Sequence, residues 1–251
     1  MPPLVKICGL RSTEAAQKAI DSGADMLGVI MVPNRKRTVS PGVALEIAKA
    51  CKKKRKELGR QFQTAGELTT HLSSQKFASH IEYFEAAARL VHENGPFLVG
   101  VFRNQGIEDV FGLARDCAVD IIQLHGSEEA QGYLRYNDTH GFGIIKRYVI
   151  PDHVDLMAQF FPHIARAERG FLLPLLDSEA GGEGKTIEWP LINGLDGRFL
   201  LAGGLDPSNV AETRPFLRNV VGFDVSGGVE DGDGQKNMAK IEAFVANAKQ
   251  M

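Results

Sequence analysis

Residues 198–228 read RFLLAGGLDPSNVAETRPFLRNVVGFDVSGG. Two apolar runs of strand length, RFLLAGG and VGFDVSGG, each close on a glycine pair, and the segment between them opens with Pro207 and Asn209 as a helix start would. An unbroken apolar run, as opposed to alternation, marks a strand buried on both faces, the pattern of a parallel sheet covered by helices. Toward the N-terminus the same unit recurs as FLLPLLD (171–177), FGIIKRYVI (142–150), DIIQLHG (120–126), FLVGVFR (97–103), DMLGVIM (25–31) and LVKICGL (4–10). Eight such runs admit an open doubly wound sheet, but their regularity over 251 residues favours an α/β (β/α)8 barrel. The expected organisation is one domain, 1–251, in which the carboxyl ends of all strands share one mouth.

Helical patterns fill the intervals. Ser12 caps a segment carrying Ala16, Ala19 and Ile20, and Ser40 followed by Pro41 starts another with Ala44, Ile47, Ala48 and Cys51 on one face. Ser79 and Glu82 have capping-box spacing, Val110, Leu113, Ala114 and Cys117 form an apolar stripe, and Ser127 is expected to cap a short helix. Met238, Ile241, Phe244, Val245 and Ala248 form the last stripe. The rhythm breaks at about 52–78, where KKKRK reads as a solvated helix tail and GRQFQTAGELTTHLSSQK shows no sustained period. That stretch reads as a polar insertion or loose loop in the second βα unit.

Composition excludes several classes. A net charge of −2 gives no basic excess for nucleic acid, no run reaches membrane-spanning length, and the N-terminus has no signal-like apolar segment. Three cysteines without C-x-x-C spacing indicate neither a disulfide framework nor a zinc site. The expectation is a cytoplasmic monomer acting on a small molecule.

Strand-end residues are the candidates for chemistry. The turns at Gly203-Gly204 and Ser226-Gly227-Gly228 suit phosphate, because glycine lets backbone N–H groups approach an anion and a following helix dipole assists. Asp177, at the mouth, suits a proton donor if desolvated, with a helix cap or an ion pair to Lys185 as the plainer alternative. Cys8 is either an inert core thiol or a nucleophile or base. Arg37 is a carboxylate fork or part of a solvated basic turn with Arg35 and Lys36, and His125 is a substrate contact or a satisfied core histidine. The segment SEAGGEGKTIEW (178–189) reads as a mobile lid, since Glu179 stands where a phosphate-loop motif needs its first glycine.

Taken in order, KICGL, PNRKRTVSP, GVFRN, IIQLHG, LLDSEAGGEGK, LAGGLDPSNV and DVSGGVE resemble the phosphoribosylanthranilate isomerase family of tryptophan biosynthesis, most of all its fungal members. The resemblance implies an Amadori rearrangement of N-(5-phosphoribosyl)anthranilate to 1-(2-carboxyphenylamino)-1-deoxyribulose 5-phosphate, with no metal or cofactor. It implies that Asp177 is the acid, Cys8 the base, Arg37 the ligand of the anthranilate carboxylate, and the two glycine turns the phosphate site. For His125 and Asp224 it implies orienting or substrate-hydroxyl contacts.

Two other readings compete. A histidine-pathway isomerase performs the same rearrangement on another amine, but that family resembles a design with Asp at the end of strand one, where this chain has Cys8. An aldolase-type barrel needs an active lysine, for which Lys146 is the placed candidate, and a non-catalytic sugar-phosphate-binding barrel predicts a missing acid or base.

Overall fold

The computed structural model describes residues 1–137, 141–164, 170–178 and 189–251. Eight parallel strands close into a barrel in sequence order: β1 (Leu4–Ile7), β2 (Met26–Ile30), β3 (Phe97–Phe102), β4 (Ile121–Leu124), β5 (Gly143–Val149), β6 (Leu172–Asp177), β7 (Phe199–Leu201) and β8 (Val220–Val225). Closure is made by β8 pairing with β1, where Lys6 lies opposite Asp224.

The outer layer holds α1 (Thr13–Asp21), α2 (Pro41–Glu57), α3 (Ala65–Ser73), α4 (His80–Asn94), α5 (Ile107–Asp116), α6 (Ala130–Tyr136), α7 (Val154–Ile164) and α8 (Met238–Lys249). The caps at Ser12 and Ser40 form, accepting from the amides of Ala15 and Val43. Cys51 and Cys117 are buried core thiols. Between β6 and β7 and between β7 and β8, the described residues form short 3-10 helices, Trp189–Gly194 and Val210–Phe216. The helix expected after Asn209 is therefore the tighter 3-10 form.

Aromatic rings lock the helical layer onto the barrel. Phe161 of α7 packs edge-on against Phe84 of α4 at 4.9 Å and against Tyr148 of β5 at 5.7 Å. Such pairs contribute about 0.5–1.5 kcal/mol each beyond area burial.

Three local expectations change. The stretch read as a loose loop contains α3, closed by a full capping box between Thr64 and Glu67, and its stripe Ala65, Leu68 and Leu72 is buried. The two turns of apolar spacing were too short to show a period, although Thr64-x-x-Glu67 is itself the signal of a helix start. KKKRK is not wholly a solvated tail. Arg55 within it is buried, pairs with Asp120 at 3.0 Å and lies over Phe97, because its position on α2 faces the barrel. Ser127 does not cap α6; its hydroxyl donates to Asn104 Oδ1 at 3.1 Å, and Glu129 precedes the helix without a side-chain cap bond. The expected lid, 178–189, lies outside the described residues except for Ser178 and Trp189, and so does Lys185 as a partner for Asp177.

Candidate active site

A cavity of about 690 Å³ opens at the carboxyl ends of the strands. Its wall includes Cys8, Arg37, His125, Asp177, Gly203, Gly204, Asp224, Ser226, Gly227 and Gly228, so residues spread over 221 positions of sequence meet in one space. Arg103 and Gln123 also line it, whereas Lys146 does not.

Cys8 follows β1 with its amide bonded to the Val225 carbonyl at 2.8 Å. Gly28 on β2 makes room for it, since a Cβ there would stand 2.7 Å from the Cys8 sulfur. Burial pushes the thiol above its ordinary range, Lys6 opposes that, and the Asp224 carboxylate adds to it.

Asp177 ends β6 and is only 4% exposed. One of its oxygens accepts from Arg147 Nε at 3.1 Å and the other from the Ser178 amide at 2.9 Å. Burial raises its pKa, the Arg147 guanidinium pulls it down, and the like charge of Asp224 pushes it up again; the net direction is upward. A carboxyl held in its protonated form at higher pH is the electrostatic condition for a proton donor.

His125 is driven the other way, down to about 3, by burial and then by Arg147, Lys6, Arg103 and Lys146. It is a neutral imidazole, and its buried Nδ1 has no hydrogen-bond partner among the described residues. An imidazole in that state can make hydrogen bonds but carries no charge.

Arg37 lies in a loop shaped by Thr38, whose hydroxyl donates to the Val32 carbonyl at 2.6 Å, and by Arg11, which donates to the Lys36 carbonyl at 3.1 Å. Its guanidinium donates to Glu230 at 2.7 Å, and Lys236 donates to the other oxygen of Glu230 at 2.8 Å. Glu230, buried but held by these two cations, has its pKa lowered despite the burial. This fastens one arm of Arg37, which remains about one-third exposed at the cavity wall.

The glycine turns approach one another closely. Gly203 and Gly204 adopt φ of 89° and 65°, a region that disfavours side chains, and a Cβ on Gly228 would stand 1.9 Å from the Leu205 carbonyl. The second turn is itself a three-residue 3-10 segment, Gly227–Val229, and so offers backbone N–H groups without the dipole of a directly following helix anticipated from sequence.

Lys146 does not fill the role of an active lysine at the mouth. Its ammonium donates to the Gly126 carbonyl at 2.6 Å and is pushed down to about 8, first by burial. Its neighbour Arg147 is the residue that reaches the site, binding Asp177, Ser178 and His125 together. Sequence reading passed over Arg147, Glu230 and Lys236; the available signal was an uncommon pair of cations inside an apolar strand run and an acid directly after the last glycine turn.

A family model described as N-(5'phosphoribosyl)anthranilate (PRA) isomerase matches residues 53–247. The N-(5'-phosphoribosyl)anthranilate isomerase of Candida albicans is 45% identical over 242 residues, covering 96% of each chain. The crystal structure of phosphoribosyl anthranilate isomerase from Thermotoga maritima matches with a TM-score of 0.68 at 25% identity, covering 99% of this chain and 100% of that one. A phosphoribosyl anthranilate isomerase in complex with reduced 1-(o-carboxyphenylamino)-1-deoxyribulose 5-phosphate matches at 0.63 and 25%, with the same coverage.

Proposed function

This chain belongs to the N-(5'-phosphoribosyl)anthranilate isomerase family, an enzyme family of tryptophan biosynthesis, and we propose that it performs the family's rearrangement with Asp177 as acid and Cys8 as base. The observation that carries the assignment is the convergence of Cys8, Asp177, Arg37 and both glycine turns on one cavity.

The reaction is an isomerisation of an aminoaldose to an aminoketose. Asp177 gives its proton to the ribose ring oxygen as the bond from that oxygen to C1 breaks, and the nitrogen lone pair forms the C1 iminium. The positive iminium acidifies the neighbouring C2–H, and the Cys8 thiolate takes that proton to leave an enolamine. Gain of a proton at C1 and loss of the proton on the C2 hydroxyl give the ketone. Each positioned proton transfer contributes about 10²–10⁴-fold in rate.

Arg37, steadied by Glu230, receives the anthranilate carboxylate, a fork-to-carboxylate match that a lysine would not reproduce. The turns at Gly203-Gly204 and Ser226-Gly227-Gly228 hold the phosphate through backbone N–H groups. His125 and Asp224 orient the sugar hydroxyls. In this reading the whole chain, 1–251, acts as one domain and as a cytoplasmic monomer. The free and buried state of Cys8, Cys51 and Cys117 supports a reducing compartment, and the exposed large apolar residues Met1, Leu58, Tyr136, Leu156 and Leu191 fall on separate segments. Among the described residues, no helix is long and apolar enough to cross a membrane.

The test is to mix the protein with freshly made phosphoribosylanthranilate and follow the change in anthranilate fluorescence. Acceleration over buffer is expected; no acceleration overturns the assignment.

A further inference from the structure

Lys6 lies on β1 and Cys8, two residues on, directly follows the strand with its amide still bonded to Val225 of β8, so both side chains leave the chain on the same side. Cys8 and Asp224 line the cavity, but Lys6 is 0% exposed and is not part of its wall. A lysine so placed cannot bind substrate. Its ammonium meets Asp224 Oδ1 at 2.9 Å, and the charge states of Lys6 and Cys8 act on one another.

Stability alone does not account for this arrangement. Desolvating two charges costs as much as their attraction returns or more, and an apolar pair of similar shape commonly serves a barrel interior at least as well. A base does need it. A thiolate buried against apolar strands is unstable without a cation, and a free thiol is a poor base.

The groups facing Cys8 can be enumerated by element. β1 supplies Lys6, β8 supplies Asp224, and the segment after β8 supplies Lys236; on β2 the facing residue is Gly28, which carries no charge. Lys236 is committed to Glu230 at 2.8 Å and to the Ser226 carbonyl at 2.9 Å. Of the two cations, Lys6, whose one hydrogen-bond partner among the described residues is Asp224, acts more strongly on the thiol.

We propose that Lys6 is a positioning residue, the standing counter-ion of the Cys8 thiolate, with Asp224 holding its ammonium in place. The inference rests on the reading of Cys8 as the base; Lys6 offsets part of the burial that disfavours its ionised form. When Cys8 takes the C2 proton its charge is neutralised, and Lys6 is left paired with Asp224 alone. Lys6 acts on the substrate only through Cys8.

The test reads the thiol directly, in the intact protein. Iodoacetamide modification of Cys8 is followed by mass spectrometry across a pH series, which separates it from Cys51 and Cys117. In Lys6→Met the midpoint is expected to rise by about one pH unit or more, equivalent to roughly tenfold less thiolate at neutral pH, and kcat to fall with KM near its original value. Lys6→Arg should recover part of the shift, and Lys236→Met should move the midpoint less than Lys6→Met. Because Lys6→Met strands a buried carboxylate that itself raises the thiol, the double variant Lys6→Met with Asp224→Asn is compared with Asp224→Asn alone, and its midpoint should be the higher of the two. A midpoint in the folded double variant no higher than that of Asp224→Asn overturns the proposal. Normal turnover in Cys8→Ala would instead remove the base assignment, an outcome distinguishable from the titration.

Discussion

At the N-terminal end of the barrel, Asp120 receives Arg55 through two guanidinium nitrogens, at 3.0 and 3.2 Å, and the Leu98 amide at 2.9 Å. Arg55 also donates to the Pro96 carbonyl at 2.6 Å and stacks on Phe97. At the C-terminal end, Asp177 receives Arg147 through a single N–H at 3.1 Å, with Asp224 near enough to push its pKa upward. Around it stand His125 Nδ1 and Gln123 Oε1, buried polar atoms with no hydrogen-bond partner among the described residues. The same pair of residue types thus serves two ends: a two-pronged brace joining α2 to the strands, and a loosely held carboxyl facing a cavity. Arg55 Nε is also buried without a partner among the described residues, but the unused atoms of Gln123 and His125 belong to residues lining the space a ligand would enter.

The sharpest way to break this comparison is to remove the two aspartates in turn. Asp120→Ala leaves Arg55 charged and buried, so a loss of about 3–5 kcal/mol in denaturant unfolding is expected. Its kcat should stay within about twofold, since distant sites act independently. Asp177→Asn, and likewise Cys8→Ala, should lower kcat by at least about a hundredfold while product affinity and melting temperature change little. Near-normal turnover in either would show that the role is misassigned.

Arg147→Met sharpens the comparison further. The guanidinium lowers the pKa of Asp177, so its loss raises it, and the carboxyl stays protonated to higher pH. The alkaline limb of the kcat profile that belongs to Asp177 should move up by about one pH unit, measured by steady-state rates across pH. The smallest effect is expected at His125. With its pKa pushed down to about 3 it is neutral throughout the working range, so His125→Asn should alter KM but leave the shape of the pH profile unchanged.

Much of the site was readable because each candidate sits where an apolar run ends. In a closed parallel barrel all such ends converge, so one-dimensional position became spatial proximity for Cys8, Arg37, His125, Asp177, Asp224 and the glycine turns. Adjacent residues inside a run were another matter. Lys146 and Arg147 are indistinguishable by pattern, and only the pleat of β5 against β6 decides which of them meets Asp177. Helix α3 escaped because two turns of apolar residues are too brief to establish a period, although its capping pair was present.

The order and burial of the strands, the fold class and the identities of the strand-end residues are properties of the chain itself, since they follow from local hydrophobic period and from turn chemistry. Ionisation and pairing belong to the folded molecule. Lys6 and Asp224, 218 residues apart, meet only because β8 closes on β1, and burial there decides which charges find partners. Proton affinity depends on what surrounds a group in three dimensions, and that is settled by closure of the barrel.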